Sequence, residues 1–219
     1  MKRQGKLIVF DGPDGSGKAT QTKLLVKRLK ENGIRVRTLD FPQYASNFFG
    51  KLLYECLHGK QKGFSMLDPH ITSVLYAADR FESKKTIEQW LHDGYTVILD
   101  RYVSANQIHQ GGKISDVRKR TKFLSWLDMM EYDIFSIPRP DLVVYLSMPV
   151  EFSLDLLRRE KESDSVESDR TYLENSARTA EWLCRKNHWK KITCVESGKL
   201  LSEEVIADRV LENMPFVFS

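Results

Sequence analysis

The stretch KLIVFDGPDGSGKAT, Lys6 to Thr20, decides the fold. Its first part is a continuous apolar run, the pattern of a strand buried on both faces. Gly12, four residues, Gly17 and Lys18 follow, and a helical pattern opens at Lys18. A strand, a GxxxxGK loop and a helix in this order predict a phosphate-binding loop. Its glycines let backbone N–H groups turn inward around phosphate oxygens. The helix N-terminus adds the positive end of its dipole, and Lys18 can bridge the outer phosphates. The predicted contacts to the donor nucleotide are Gly12, Pro13, Asp14, Gly15, Ser16, Gly17, Lys18, Ala19 and Thr20.

Ala19 stands where such loops commonly place the Ser or Thr that meets magnesium. Thr20 is no simple substitute, because it points about 100° away on the helix. Magnesium, however, leans largely on water, substrate phosphates and one or two carboxylates. Asp100, at the end of a later strand, can supply that carboxylate through water. The loop therefore reads as variant rather than disabled.

Working outward, apolar runs alternate with amphipathic ones. The predicted strands are 6–11, 34–41, 95–100, 141–147 and 190–195. Leu25 and Leu29 share a face of the first helix, which Gly33 ends. A second helix covers 48–59 and closes at Gly59. Asp68 and Pro69 read as an N-cap and a first helical position. The helix after them carries Ile71, Leu75, Ala78 and Phe81 at helical spacing and runs to about Leu91. Strand–helix alternation predicts an α/β fold: a five-stranded parallel sheet flanked by helices. The polar segment 158–170 lies between two helical patterns and reads either as a solvated connector or as a small lid.

The chain has 219 residues, which suits a single domain spanning 1–219. At 41% hydrophobic and 29% charged, its composition is that of a soluble globular protein. The formal net charge of +4 is mild, and no basic tract marks a nucleic-acid arm. Cys56, Cys184 and Cys194 are widely spaced, so plain thiols in a reducing compartment are expected rather than disulfides or a zinc site. LIVF is too short for a signal peptide or a membrane span, and the expected location is cytoplasmic.

A phosphate loop alone permits kinases, GTPases and motor ATPases. No NKxD guanine signature is present. In order, the chain contains DGPDGSGK, FPQY, YAADR, DRYVSANQIHQGG, PRPDLVVYL and an arginine-bearing polar segment. This set resembles the thymidylate kinases, P-loop kinases of nucleoside monophosphates, over nearly the whole chain. The resemblance implies ATP as phosphate donor, dTMP as acceptor, magnesium, and a homodimer. It implies that Tyr76 stacks on thymine and that Arg80 grips the acceptor phosphate; positions i and i+4 share a helix face, so both can reach one nucleotide. It further implies that Asp100 and Arg101 act at the reacting phosphates and that Asp14 meets the sugar 3′-hydroxyl. The resemblance implies that Asn106 reads the base edge, with Gln110 a second candidate there; an amide offers both donor and acceptor. Phe41 and His109 complete the acceptor set. Gly15 leaves the loop without an arginine, so the resemblance assigns catalytic charge to a lid with Arg158 and Arg159.

Three positions depart from the family pattern: Ala19, His109 in place of Tyr or Phe near the sugar, and no arginine after Phe41-Pro42. Three other readings stay open. One is another deoxynucleotide or deoxynucleoside kinase of the same fold. The second is a nucleotide-binding sensor weakened in catalysis at Ala19. The third, a nucleic-acid-binding P-loop ATPase, is disfavoured by the mild charge.

Overall fold

The computed structural model describes residues 4–58, 63–64, 67–160 and 166–214, without the side chains of 156–160 and 166–169. Five strands, β1 (Leu7–Asp11), β2 (Val36–Asp40), β3 (Thr96–Asp100), β4 (Leu142–Ser147) and β5 (Lys190–Thr193), form one parallel sheet in the order β2-β3-β1-β4-β5. The α/β fold of the sequence reading is the observed one. β1 is central and entirely buried, as its unbroken apolar run requires. β2 is an edge strand, which explains its polar, alternating sequence.

Side chains alternate across each strand, so neighbouring residues feed different cores. Ile8, Phe10, Ile98 and Val144 pack on one face with Leu25 and Leu29 of α1 (Lys18–Glu31) and Ile206 and Val210 of a C-terminal helix, Glu203–Glu212. Leu7, Val9, Val97, Leu99 and Val143 face the other way, toward Ile87 and Leu91. Tyr145 opens a third cluster with Ile108, Phe123, Leu127 and Leu183. Each fully buried Leu or Ile contributes on the order of 1.5–3 kcal/mol.

The predicted second helix is α2 (Phe48–His58); Gly59, its expected stop, lies outside the described residues. Gly50 lets α2 approach the loop after β2, since a Cβ there would lie 2.0 Å from the Gln43 carbonyl oxygen. That loop begins with a cis Phe41–Pro42 peptide.

The single helix expected from Pro69 to about Leu91 is instead two, α3 (Pro69–Glu82) and α4 (Lys84–His92). Ser83 caps the end of α3 and the start of α4. Asn47 donates to the Asp79 carbonyl at 2.8 Å and to Ser83 Oγ at 3.0 Å, occupying a helix carbonyl at the break. Asp68 does cap α3, accepting from the His70 N–H at 2.8 Å. The apolar stripe of α3 points to solvent: Ile71 is 56% and Phe81 49% exposed. Its buried face carries Thr72, Ser73, Asp79 and Arg80.

After β3 come α5 (Val103–Gly112), α6 (Val117–Asp128) and a π-helical turn, Met129–Ile134, that the sequence reading did not anticipate. Beyond β4 lie α7 (Val150–Glu160) and α8 (Val166–Lys186). β5 ends at Thr193, short of the expected 195, because Val195–Glu196 turns back as a hairpin on Lys199–Leu200.

Candidate active site

The carboxyl ends of β1, β3 and β4 open into one cleft, and the phosphate loop forms one end of it. Gly12 (φ 155°) and Gly17 (φ 82°) hold backbone conformations that side chains rarely adopt, and a Cβ at Gly12 would come within 2.7 Å of the Leu146 carbonyl oxygen. Lys18 is buried, and its Nζ donates to the Gly12 and Pro13 carbonyls at 3.0 and 2.9 Å. Burial, and then Arg101, holds its ammonium below the usual lysine range. Ala19 is exposed and contributes no oxygen beyond its backbone.

Asp11, the last residue of β1, is fully buried and was not singled out from sequence. Its carboxylate accepts from the Gly12 N–H at 2.9 Å and from Ser104 Oγ at 2.6 Å. It thereby ties the phosphate loop to α5. Burial raises its pKa, against the hydrogen bond from Ser104 and the charges of Arg101 and Lys18.

Arg101 follows β3 in the left-handed region, φ 65°, with its N–H donating to the Phe10 carbonyl at 2.8 Å. A non-glycine residue held there is a strain that cluster of contacts must maintain. Its guanidinium pairs with Asp14 across the mouth of the cleft. Burial works to raise the Asp14 pKa, but Arg101 and Lys18 outweigh it and the net shift is downward. Asp100 is raised by burial, with Lys18 and Arg101 opposing.

All eight acceptor candidates, Asp14, Phe41, Tyr76, Arg80, Arg101, Asn106, His109 and Gln110, line this cleft of about 820 Å³, mouth included. That volume falls within the usual range for small-molecule sites. Arg80 is at its base, with Nε and Nη2 donating to Glu131 at 2.7 and 2.6 Å. Asn106 Nδ2 donates to the same Glu131 Oε1 and to the Ser73 carbonyl, both at 3.2 Å. Burial pushes the Tyr76 phenol well up, so it stays neutral. His109 Nδ1 lies 2.8 Å from the Tyr172 hydroxyl, and the rings stack at 5.7 Å and 17°. Burial, then Arg101, pushes the His109 pKa down to about 3.

Sequence reasoning missed Glu131, Tyr172 and Ser176, the last two of which line the cleft from α8. The expected lid, 158–170, includes backbone at the end of α7 and the start of α8. The side chains of Arg158 and Arg159 lie outside the described residues. Arg170 is exposed and pairs with Glu174 at 2.9 Å.

Among the described residues no group of three or more His, Cys, Asp or Glu could hold a metal ion. Asp100, at the end of β3, is a single carboxylate of the kind that could meet a magnesium ion held mainly by water and substrate oxygens. No helix among the described residues is long and apolar enough to cross a membrane.

The family model for thymidylate kinase matches residues 10–205. The chain is 28% identical to thymidylate kinase of Homo sapiens over 205 residues, 93% of this chain and 89% of that one. It is 31% identical to thymidylate kinase of Mycobacterium tuberculosis H37Rv over 159 residues, 72% and 73% of the two chains. A solved structure of thymidylate kinase from Candida albicans superposes with a TM-score of 0.74 at 20% identity, covering 100% of this chain and 96% of that one.

Proposed function

The chain belongs to the thymidylate kinase family, and from that premise we propose that it transfers the γ-phosphoryl group of ATP to dTMP, with magnesium, giving ADP and dTDP. The observation that carries this reading is the convergence of the phosphate loop and the whole acceptor set on one cleft. The loop from Gly12 to Thr20 takes the donor phosphates, and Asp14, Phe41, Tyr76, Asn106, His109 and Gln110 take the acceptor nucleoside.

The charge layout divides the cleft. Arg101 and Lys18 stand together at the loop end, where two phosphates must meet. They neutralise repulsion between donor and acceptor and stabilise a loose transition state by position. Arg80 differs from its sequence-based expectation in our assignment. Its charge is matched by Glu131, and it shares that carboxylate with Asn106. We assign Arg80 to the base end with Tyr76 and Asn106, and the acceptor phosphate to Arg101. No covalent enzyme intermediate or strong general base is required, because the acceptor phosphate oxygen is itself the nucleophile.

Magnesium carried in with ATP would supply charge neutralisation, and Asp100 is the residue we assign to hold it through water. One of Arg158 and Arg159 is assigned to the γ-phosphate from the lid. We further propose a cytoplasmic homodimer, supported by the exposed stripe of Ile71, Val74 and Phe81 on α3 and by Phe48 on the adjoining α2. Sedimentation of the wild type against Phe81→Asp tests the dimer, the variant being expected to run as a monomer.

The central test is steady-state turnover with ATP against dTMP, dUMP, dCMP, UMP, CMP and AMP. The expected result is magnesium-dependent ADP formation with dTMP preferred among the deoxynucleotides. Binding of ATP and dTMP without turnover at any magnesium level would replace this reading with a nucleotide sensor.

A further inference from the structure

One wall of the cleft, formed by α5 and α8, carries buried polar atoms that the protein does not pair. His109 Nε2 and Gln110 Oε1 on α5, and Ser176 Oγ on α8, have no hydrogen-bond partner among the described residues. All three residues line the cleft. Gln110 and Ser176 are 6% and 5% exposed, so solvent does not complete their bonding. A buried polar atom left unpaired is costly, and such atoms in a cleft point to the groups a ligand brings.

Asp14 lines the same cleft as these atoms. Asp14 and His109 lie close enough to act on one another electrostatically. Asp14 is the candidate acceptor for the sugar 3′-hydroxyl. A deoxyribose has no second hydroxyl, whereas a ribose places one on the neighbouring carbon, on the same side of the ring. We propose that the His109–Ser176 wall receives the 2′-hydroxyl of a ribose, so that the enzyme also phosphorylates pyrimidine ribonucleoside 5′-monophosphates. This rests on the dTMP reading above.

Hydroxyl chemistry suits this wall. If Tyr172 donates to His109 Nδ1, then Nε2 carries the ring hydrogen and donates. If Nδ1 donates to Tyr172, then Nε2 accepts. A hydroxyl is both donor and acceptor, so it serves either tautomer, and Ser176 Oγ can take the remaining role. Burial keeps the imidazole neutral, which leaves both arrangements available. An apolar ring at 109 would offer no partner and would leave the hydroxyl desolvated.

The test compares dTMP with ribothymidine 5′-monophosphate, which differ only at the 2′ position. Both kcat/KM with ATP and equilibrium binding are measured for the wild type, His109→Phe, His109→Gln and Ser176→Ala. The wild type is expected to use the ribonucleotide within about tenfold of dTMP. His109→Phe should lower the ribonucleotide-to-dTMP ratio about tenfold, the worth of one hydrogen bond. His109→Gln, which keeps a polar partner, should restore much of that ratio, and Ser176→Ala should lower it. Turnover of dTMP with ribonucleotide rejection beyond about a hundredfold in the wild type would overturn the proposal while leaving the dTMP reading intact. An unchanged ratio in a folded His109→Phe protein would overturn it as well. If no acceptor turns over, the dTMP reading fails. The binding ratio then decides the 2′-hydroxyl site by itself, and the wild-type comparison stands even if a variant does not fold.

Discussion

Arg80 and Glu131 form a two-bond ion pair at the base of the cleft, with side-chain exposures of 3% and 0%. The pair joins α3 to the π-helical turn, and Asn106 adds α5 to the same carboxylate. Removing one partner leaves a buried charge with nothing to answer it, which costs about 3–5 kcal/mol. Glu131→Ala and Arg80→Ala should each lower stability by about that amount, whereas Arg80→Met with Glu131→Leu should lose markedly less. Urea unfolding of the four proteins checks this. Single losses below about 1 kcal/mol would show that the pair does not hold the site together.

Lys18→Ala should remove nearly all phosphoryl transfer while the far-ultraviolet circular dichroism stays that of the wild type. Its Nζ binds only loop carbonyls and approaches Asp14 at 3.9 Å, so little of the fold depends on it. Turnover near the wild-type level in a folded variant would remove the phosphate loop from the mechanism.

Chelating magnesium should abolish turnover, and Asp100→Ala should raise the magnesium concentration needed for half-maximal rate or eliminate the rate. Asp100 is the carboxylate at the end of β3, beside Lys18 and Arg101 in the electrostatics of the site. A magnesium titration of wild type and variant is the measurement. Superimposable curves would take Asp100 out of the metal's water shell.

Stability should fall on mild acidification through His109. An unfolded histidine titrates near 6.5, while the folded one is pushed down to about 3. Between these values the unfolded chain binds the extra proton. This contribution is therefore fully present above pH 6.5 and lost progressively as pH falls toward about 3. Melting temperatures measured from pH 7 to 5 should drop more steeply for the wild type than for His109→Asn. Parallel slopes would place the imidazole in contact with water.

Thiol reagents should distinguish Cys56 from the other two cysteines. Cys184 and Cys194 are buried, and burial pushes their thiols up to about 12 and about 11. Cys56 is partly exposed. At pH 8 the native protein should react rapidly at one thiol, and at three after unfolding. Fast reaction of all three in the native state would contradict the packing around β5 and α8.

The strand, loop and helix around Gly12–Lys18 were legible because their signal is contiguous, within fifteen residues of chain. The three central strands were legible as short apolar runs and the edge strands β2 and β5 by alternation and β-propensity, and their ends shifted by at most a few residues. The acceptor candidates come only from the family resemblance, since Tyr76 and Asn106 carry no local mark of binding; the structure gathers them in one cleft. Glu131 and Tyr172 could not be found this way. They meet Arg80 and His109 across 51 and 63 residues, with no spacing that links them. The helix beginning at Pro69 shows how periodicity can mislead: its apolar stripe faces outward because its polar side builds the cleft. Its break at Ser83 depends on Asn47, a side chain from another element.

The central place of β1 also governs when the site can come into being. Leu7 aligns with Val97, and Ile8 with Leu142, so the first strand made has both of its neighbours made much later. During synthesis, LIVF waits for its first neighbour until about residue 100 has been made and for its second until about residue 147. Closing such long loops is entropically slow. The loop that grips phosphate is thus among the first parts translated and among the last supported. A chain released before β4 would carry every residue of the phosphate loop yet bind no nucleotide, and its free strand edges would make it prone to aggregate.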